Sequence, residues 1–309
     1  MDWDSEYIAE LVNRALEEDV ATGDVTTIAT IPDGATGKAR IVARAPLVCA
    51  GLPLVEKVFQ ALDPEMDVEF LAKDGDAVQA GTELVRISGS GQAILTGERT
   101  VLNFLGHLSG IATLTQKIVK ELEGTKTRIR DTRKTTPGLR VLEKYAVRKG
   151  GGVNHRIGLF DAILLKENHI ALAGGIKAAL DKAHTFASSR LTSHETTAYE
   201  ATGNAGSNQS DCSLRIQIEV RDEKELREAL GAGAESVLLD NMTAEEAAKC
   251  VRLARELRKD CIVEISGGIT AENARAYGAA GAEFLSCGML THSAPAADLS
   301  LLVDSIQES

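Results

Sequence analysis

Charged side chains follow several apolar runs in the second half of the chain, where they could support chemistry. Arg133 and Lys134 follow one such run, and Lys166 follows another. Glu219 and Asp240 stand at the ends of the next two. Cations at these places can bind the anionic groups of a small ligand. The two carboxylates can hold Mg²⁺, act as acid and base, or stabilise a developing positive charge, but they can also simply pair with nearby lysines and arginines.

Two glycine turns follow the last apolar runs, in "SGGI" from Ser266 and in "SCGML" one unit later. In the first turn, the backbone N–H groups of Gly267 and Gly268, with a helix predicted to be capped by Thr270, could cradle a phosphate without side-chain bulk. Gly288 marks the second turn. Paired phosphate loops late in the chain are typical of β/α barrels. The alternative is that these glycines only allow the chain to turn.

The elements that must position these residues are strands and helices in strict alternation. Strand-like runs are "TRIRD", "DAILLK", "LRIQIEV", "SVLLD", "CIVEIS" and "AEFLSCG", and helices are expected from Thr136-Pro137, from about Gly174 to Phe186, and over "TAENARAYGAAG". This order predicts a parallel sheet with right-handed crossovers. Because no dinucleotide-binding glycine fingerprint follows the first strand, a closed or partly open β/α barrel is favoured. The residues described above then share the active-site end of that barrel.

The first part of the chain predicts a separate α+β domain. An amphipathic helix with Ile8, Val12 and Leu16, a second helix near 53–62, and short alternating runs precede a long helix that would link the domains. We place the domains at 1–110 and 111–292. The alternating runs resemble the hairpins of lipoyl or biotinyl carriers, so a carrier or binding module is an alternative. No lysine lies between Lys73 and Lys117 to be modified, which favours a scaffold.

Cations are concentrated between Lys126 and Arg156. This stretch holds ten Lys or Arg and two acidic residues, a charge of +8, in a chain of 309 residues whose net charge is −11. Arginines match carboxylates and phosphates in bidentate geometry, so a pocket for a multiply anionic small ligand is predicted. An RNA-binding stripe is the alternative, which the aromatic content of 4% weakens. Arg140, Lys144, Arg148 and Lys149 are expected at the solvated surface of a helix.

Composition favours a cytoplasmic enzyme. No apolar run approaches the roughly 20 residues needed to span a bilayer. The amino terminus "MDWDSEYIAELVNRALEEDV" is acidic and amphipathic, unlike a signal peptide. The five cysteines are scattered without a C-x-x-C pair, which predicts reduced thiols in the core.

Six segments resemble, in order, those of the quinolinate phosphoribosyltransferase family: "GERTVLNFLGHLSGIAT", "DTRKTTPGLR", "KYAVRKGGGVNHRIGLFDAILLKENHI", "SVLLDN", "ISGGI" and "GMLTHS". The resemblance spans nearly the whole chain, and its second and third segments are highly specific. It implies a pentosyltransferase that moves phosphoribosyl from phosphoribosyl pyrophosphate to the ring nitrogen of quinolinate. One carboxylate leaves as CO₂, and the products are nicotinate mononucleotide and pyrophosphate, on the de novo route to NAD.

The family's fold, assembly and cofactor are implied in the same way. An open α/β sandwich at the amino terminus, joined by the tail 293–309, is expected beside an incomplete barrel. The chain is expected to form a homodimer or a multiple of dimers and to use Mg²⁺. No nucleic acid and no membrane are expected as partners.

The resemblance also implies a role for each matching residue. Around the quinolinate carboxylates it places Thr132, Arg133, Lys134, His155 and Arg156, with Arg99 reaching in from a partner subunit. It directs Lys166 to the substrate or pyrophosphate, and Glu219 and Asp240 to the ribose and to Mg²⁺, which is held largely through substrate and water. It assigns the 5-phosphate to Ser266, Gly267, Gly268, Cys287, Gly288, Met289 and His292. The catalytic roles fall to Lys134, Lys166, Glu219 and Asp240.

Two departures from the family pattern and two rival functions complete the expectations. A polar stretch at 187–213 is longer than the usual connection and is expected to be a mobile surface loop. Gln217 stands where the family often has an acid, which could weaken the local cation network without removing Glu219. The rivals are a related phosphoribosyltransferase that acts on another acid, and a barrel aldolase that uses Lys166 as a Schiff base.

Overall fold

A computed structural model describes residues 1–190 and 214–307. These residues form two compact units. The first comprises Met1–Gln116, Arg148–Gly151 and Ala294–Ser309, and the second comprises Lys117–Val147 and Gly152–Ser293. Most of the polar stretch predicted as a surface loop, from 191 to 213, lies outside the described residues.

Helices and strands account for most of the described chain. The helices are α1 (Glu6–Val20), α2 (Val25–Thr30), α3 (Pro53–Leu62), α4 (Gly91–Glu121), α5 (Arg140–Lys149), α6 (Glu167–Ala173), α7 (Ile176–Arg190), α8 (Glu223–Gly231), α9 (Ala244–Leu257), α10 (Ala274–Gly278) and α11 (Met289–His292). The strands are β1 (Thr36–Ala43), β2 (Leu47–Val48), β3 (Asp67–Phe70), β4 (Ala77–Val78), β5 (Glu83–Ser90), β6 (Arg128–Arg130), β7 (Ile163–Leu165), β8 (Ile216–Val220), β9 (Ser236–Asp240), β10 (Ile262–Ser266), β11 (Phe284–Ser286) and β12 (Leu299–Gln307).

The first unit is built on an antiparallel sheet in the order β12-β1-β5-β3. Its last strand in sequence, β12, pairs along the whole of β1, from Thr36 opposite Gln307 to Ala43 opposite Leu299. Helices contribute buried apolar side chains to this unit. Helix α1 buries Ile8, Val12 and Leu16, which are spaced four residues apart, as its periodicity predicted. The expected α+β class of this part is therefore confirmed.

Within the first unit, a glycine of helix α4 lets the returning tail approach closely. A β-carbon at Gly110 would lie 2.1 Å from the backbone oxygen of Pro295. Real β-carbons do not come that close to a carbonyl oxygen, and backbone cannot move aside as a flexible side chain can. Glycine in the middle of this helix is thus explained by packing against the chain that leads into β12.

The second unit is built on a parallel sheet in the order β6-β11-β10-β9-β8-β7. In the part of the chain that the structure describes, β6 and β7 are its two edges, and Val153 forms a bridge beside Arg130 of β6. The sheet is therefore open, as expected for an incomplete barrel. Val237, Leu239, Val263 and Ile265 are fully buried on one face, so the alternate residues point to the other face.

Three helices differ from the bounds that the sequence predicts. Helix α5 begins at Arg140 instead of Thr136-Pro137, because Gly138 has a φ of 84° that helical backbone cannot adopt. Gly174, expected to open a helix, instead ends α6 with a φ of 97°. Helix α10 begins at Ala274, so the expected cap at Thr270 is wrong.

Two smaller expectations concern cysteines and membranes. Cys49, Cys250, Cys261 and Cys287 are free and buried, which confirms core thiols for these four.

None of the helices in the described ranges is long and apolar enough to cross a membrane.

Candidate active site

A cavity of about 680 Å³ opens at the carboxyl ends of the parallel strands in the second unit. It brings together nearly all residues selected from the sequence, although they come from strands far apart in the chain. The selected residues that line it are Thr132, Arg133, Lys134, His155, Arg156, Lys166, Glu219, Asp240, Ser266, Gly267, Gly268, Gly288, Met289 and His292. The prediction that the ends of these strands share one mouth is therefore confirmed.

Two selected residues do not line this cavity. Cys287 is buried, and its Sγ lies 3.1 Å from the backbone oxygen of Ile269, so its side chain packs into the core. The thiol is consequently not available to a ligand in the cavity. Arg99 lies on α4 in the first unit.

Arg133, Lys134 and Arg156 form what we call the cationic wall of the cavity. This wall is supported by a buried ion pair that the sequence did not indicate. Lys144 is 2% exposed, and its Nζ lies 2.5 Å from Oδ1 of Asp131, which is fully buried. The expected solvated position of Lys144 is wrong, because the helix α5 turns this residue inward towards the end of β6. Arg140 is also engaged, since its Nε donates to Thr135 at 2.9 Å and its Nη1 to the Ile157 backbone oxygen.

The same ion pair fixes the glycine loop that carries His155. The His155 backbone N–H donates to Oδ1 of Asp131 at 2.8 Å, and the Lys144 ammonium donates to the His155 backbone oxygen at 3.1 Å. Burial raises the pKa of Asp131 to about 6, although Lys144 opposes that shift. Burial likewise lowers the pKa of Lys144. Burying these two charges therefore costs desolvation free energy, which the short contact between them and the additional hydrogen bonds must offset.

A second buried carboxylate, Glu264, lies in the floor of the cavity. It accepts from Arg130 Nη1 at 2.8 Å and from Gln217 Nε2 at 3.0 Å, and Ser286 Oγ also donates to it. Burial alone would raise the pKa of Glu264, but the Arg130 charge and the hydrogen bonds from Gln217 and Ser286 leave it below its ordinary value. Sequence reasoning missed Glu264. An acid inside the apolar run "CIVEIS" was the available signal.

Arg133 and Arg156 stand near each other on the cationic wall. Burial lowers the pKa of Arg156, and the charge of Arg133 lowers it further. The Arg156 guanidinium is oriented by its bond to the Ala162 backbone oxygen at 2.9 Å. Two nearby guanidinium groups repel each other, and an anion that binds between them relieves this repulsion. This wall is therefore suited to a ligand with more than one negative charge.

The same cavity is lined by the two carboxylates that the sequence selected. Glu219 Oε2 lies 3.4 Å from Lys166 Nζ, and Asp240 accepts from Asn241 Nδ2 at 2.7 Å. No group of three or more His, Cys, Asp or Glu that could hold a metal occurs among residues 1–190 and 214–307. Two carboxylates nonetheless suit Mg²⁺, which commonly takes its other ligands from water and substrate phosphates.

Asn241 is a second site residue that the sequence analysis did not select. Its φ is 54°, and its backbone N–H donates to the Ser266 oxygen at 2.9 Å, beside the "SGGI" turn. A β-carbon at Gly267 would lie 2.2 Å from Asn241 Oδ1 and 2.8 Å from its Cα. The glycine in this turn is thus required by close packing as well as by its φ of 100°.

The "SGGI" turn remains a candidate phosphate site on its backbone alone. Gly267 and Gly268 both have positive φ, and together with Ile269 they border the cavity. The helix that was expected to add its terminus starts four residues after Thr270 and is only five residues long. Any anion here would therefore depend on the N–H groups of the turn.

Known protein families match both parts of this chain. The family described as "Quinolinate phosphoribosyl transferase, N-terminal domain" matches residues 24–109, and "Quinolinate phosphoribosyl transferase, C-terminal domain" matches residues 111–212 and 198–302. This chain belongs to the quinolinate phosphoribosyltransferase family. The resemblance seen in the sequence motifs is thereby confirmed.

Individual relatives match over nearly their whole length. A probable nicotinate-nucleotide pyrophosphorylase (carboxylating) from Bacillus subtilis is 38% identical over 302 residues, covering 98% of this chain and 95% of its own. The corresponding Mycobacterium leprae protein is 38% identical, covering 94% and 95%. Among solved structures, the nicotinate-nucleotide pyrophosphorylase of Francisella tularensis has a TM-score of 0.83 at 37% identity, covering 97% and 96% of the two chains.

Removing one partner of the Asp131 and Lys144 pair should destabilise this family member strongly. We expect Lys144→Met to lower the free energy of unfolding by about 3–5 kcal/mol, because it leaves a buried carboxylate without its counter-ion. The double variant Asp131→Asn with Lys144→Met should recover at least half of that loss, since the amide oxygen can still accept from the His155 N–H. Urea unfolding of the three proteins measures both values. A single variant as stable as the unmodified protein would contradict this account of the pair.

Proposed function

We propose that this chain transfers the phosphoribosyl group of phosphoribosyl pyrophosphate to the ring nitrogen of quinolinate. The proposed products are nicotinate mononucleotide, pyrophosphate and CO₂, in NAD biosynthesis. The main support is that a single cavity holds a cationic wall, two carboxylates and two glycine turns. A dicarboxylate acceptor and a phosphate-rich donor together account for all three features.

Acceptor binding falls to the cationic wall. Arg133, Lys134 and Arg156 supply its charges, and the repulsion between the two arginines is relieved when the carboxylates of quinolinate lie between them. Thr132 lines the same wall. His155 shapes it rather than binding a carboxylate, since one ring nitrogen faces the Arg156 N–H at 2.7 Å and the other the Gln217 side-chain oxygen at 3.2 Å.

Donor binding falls to the glycine turns and the carboxylates. The 5-phosphate would sit against the N–H groups of Ser266, Gly267 and Gly268 and against the turn at Gly288, with Met289 and His292 beside it. A β-carbon at Gly288 would come within 3.0 Å of the Lys134 side chain and 3.1 Å of His292, so glycine keeps this turn open. Lys166 would face the pyrophosphate.

Mg²⁺ is the proposed cofactor. Glu219 and Asp240 would hold it, with substrate oxygens and water completing the ligands. When bound, the ion would offset the negative charge of the departing pyrophosphate. The carboxylates also have a role of their own, because loss of pyrophosphate leaves positive charge on the anomeric carbon that they can stabilise.

Decarboxylation follows from the alkylated ring. Once the ring nitrogen carries the ribose, its positive charge can stabilise the electron pair that stays on the adjacent ring carbon when the carboxylate there leaves as CO₂. That carbon then takes up a proton from water, which gives nicotinate mononucleotide. This step requires that the carboxylate be positioned, which the cationic wall and its buried supports would do, and it is favoured by a pocket with little water. In the preceding transfer step, Lys134 and Lys166 contribute by offsetting the charge of the leaving pyrophosphate.

Two rival functions have less support. A Schiff-base lysine must lose its proton, which burial promotes, whereas the Lys166 side chain is 52% exposed and paired with Glu219. An RNA-binding stripe needs its cations at the surface, whereas Lys144 and Arg130 pair with buried carboxylates.

A product assay tests the proposal directly. Purified protein with quinolinate, phosphoribosyl pyrophosphate and Mg²⁺ should release CO₂ and nicotinate mononucleotide. With nicotinate as acceptor, the rate should fall at least about a hundredfold, because the cations that bind the second carboxylate stay unpaired. Chromatography of the nucleotide and trapped CO₂ give the two readouts.

The outcomes of this assay separate the remaining possibilities. Equal use of nicotinate would contradict the role given to the cationic wall. If neither acceptor reacts while phosphoribosyl pyrophosphate still binds, this chain is instead a related phosphoribosyltransferase whose acceptor is another acid.

We also propose that the chain forms a homodimer in which Arg99 completes the partner's site, and that it works in the cytoplasm. The dimer and Arg99 rest on the family resemblance of "GERT". The location rests on the free, buried cysteines, because reduced thiols are typical of cytosolic proteins.

Mixed dimers can test the shared arginine. Arg99→Ala and Arg133→Ala should each be nearly inactive alone. Co-expressed at equal levels, they should recover about a quarter of the wild-type activity, because half of the dimers are mixed and each of those holds one intact site. If Arg99 serves its own chain, no mixed dimer has an intact site and no activity returns.

Gly267 provides a test of the phosphate turn with a matched control. Gly267→Ala should raise the KM for phosphoribosyl pyrophosphate about tenfold or more, because its β-carbon would collide with Asn241 and displace the turn. Gly281→Ala carries similar backbone strain, at a φ of 86°, but its β-carbon meets nothing within 4 Å. Steady-state kinetics should therefore show a normal KM for the control. Equal effects at both glycines would show that only strain matters.

A further inference from the structure

The buried cluster beneath the cationic wall has features that a purely structural role does not require. Glu264 is fully buried, and both of its carboxylate oxygens have partners: Arg130 and Gln217 at Oε2, and Ser286 at Oε1. Apolar residues of similar volume would stabilise such a place at least as well. The position of this charged cluster under a ligand cavity therefore indicates that the cluster orients a side chain that borders the cavity.

The side chain that this cluster orients is His155. Its Nε2 lies 3.2 Å from Gln217 Oε1 and 3.5 Å from Glu264 Oε1. Gln217 cannot turn its NH₂ group towards His155, because its Nε2 already donates to Glu264. Both atoms that face Nε2 are therefore acceptors, so this ring nitrogen must carry a proton.

The other ring nitrogen of His155 is fixed by the backbone. The Arg156 N–H points at Nδ1 from 2.7 Å, and a backbone N–H can only donate. Nδ1 is therefore an acceptor, and the ring is neutral with its proton on Nε2. Burial lowers the pKa of His155, which agrees with a neutral ring. Neither ring nitrogen is left for a ligand.

A continuous chain of contacts thus runs from the cluster to the pocket wall. Glu264 and Gln217 orient the His155 ring, the ring holds the Arg156 backbone, and the Arg156 guanidinium is held by Ala162. A shift of the ring would move Arg156 where the acceptor carboxylates are expected to bind.

We propose that Glu264 and Gln217 are positioning residues for the acceptor: through the His155 ring, with its proton on Nε2, they fix Arg156 in the pocket wall. This inference rests on the proposed function. It also reinterprets Gln217, whose amide supplies both the donor for Glu264 and the acceptor for His155. A carboxylate at this position would supply no donor.

Kinetics of Glu264→Gln give the first test. The amide must present its NH₂ group either to Arg130 and Gln217 Nε2 or to the protonated Nε2 of His155, all of which are donors, so the cluster should rearrange. We expect the KM for quinolinate to rise about tenfold and the KM for phosphoribosyl pyrophosphate to change less than about twofold. A purely structural role would lower stability and the amount of active protein without separating the two KM values.

Glu283→Gln is the matched control. Glu283 also pairs with an arginine, Arg255, and accepts from the Val263 N–H at 2.8 Å, but it lies at the start of the same strands, away from the cavity. Both KM values should stay unchanged in this variant. An equal rise for quinolinate in the control, or no rise in Glu264→Gln, would overturn the proposal.

Nitrogen-15 NMR of labelled histidines tests the ring state without any variant of the cluster. The His155 signal, assigned by its loss in His155→Gln, should show a neutral ring with the proton on Nε2 near neutral pH. A proton on Nδ1, or a doubly protonated ring, would overturn the proposal even if Glu264→Gln fails to fold.

Failure of the proposed function would look different. Wild-type protein would then make no nicotinate mononucleotide, while the NMR result would still report on the ring. Calorimetric binding of quinolinate would replace KM in that case. Unchanged quinolinate affinity in Gln217→Met, which keeps the volume but loses both hydrogen bonds, would count against the positioning role.

Discussion

Two buried carboxylates allow this chain to gather its cations in one place. Asp131 and Glu264 are both fully buried, and each pairs with a cation of the basic stretch, Lys144 and Arg130 respectively. Without these partners, the positive charges of one short segment would repel one another across the pocket. With them, some cations become internal supports, and others, such as Arg133, are left exposed to bind a ligand.

The open parallel sheet sets where each group stands. Successive residues of a strand alternate between faces, so the apolar residues of β9 and β10 pack into the core while Asp240, Glu264 and Ser266 face the cavity. Register then brings Ser266 of β10 beside Asp240 of β9 and Ser286 of β11. A row of polar groups across three strands results, although the residues are distant in sequence.

Much of this could be predicted from the sequence, because strand ends in a parallel sheet must share one edge. Lys166, Glu219, Asp240 and the glycine turns were found by that rule. Lys144 and Glu264 were not, since helical periodicity and apolar runs do not reveal which buried partner a charge will meet. Asn241 was missed for a similar reason: its importance comes from close packing against Gly267, in the turn that follows the next strand. Two helix boundaries were predicted wrongly because Gly138 and Gly174 adopt a positive φ.

The pairing of β12 with β1 bears on how the protein is made. The edge of β1 that β12 covers is complete only after Gln307 has left the ribosome, whereas β1 itself ends at Ala43. At about 5–20 residues per second, the intervening chain takes on the order of ten seconds or more to synthesise. An uncovered strand edge can pair with other chains during that time. The nascent amino-terminal unit therefore has to wait until β12 has been synthesised, and any product truncated before β12 would carry that open edge permanently.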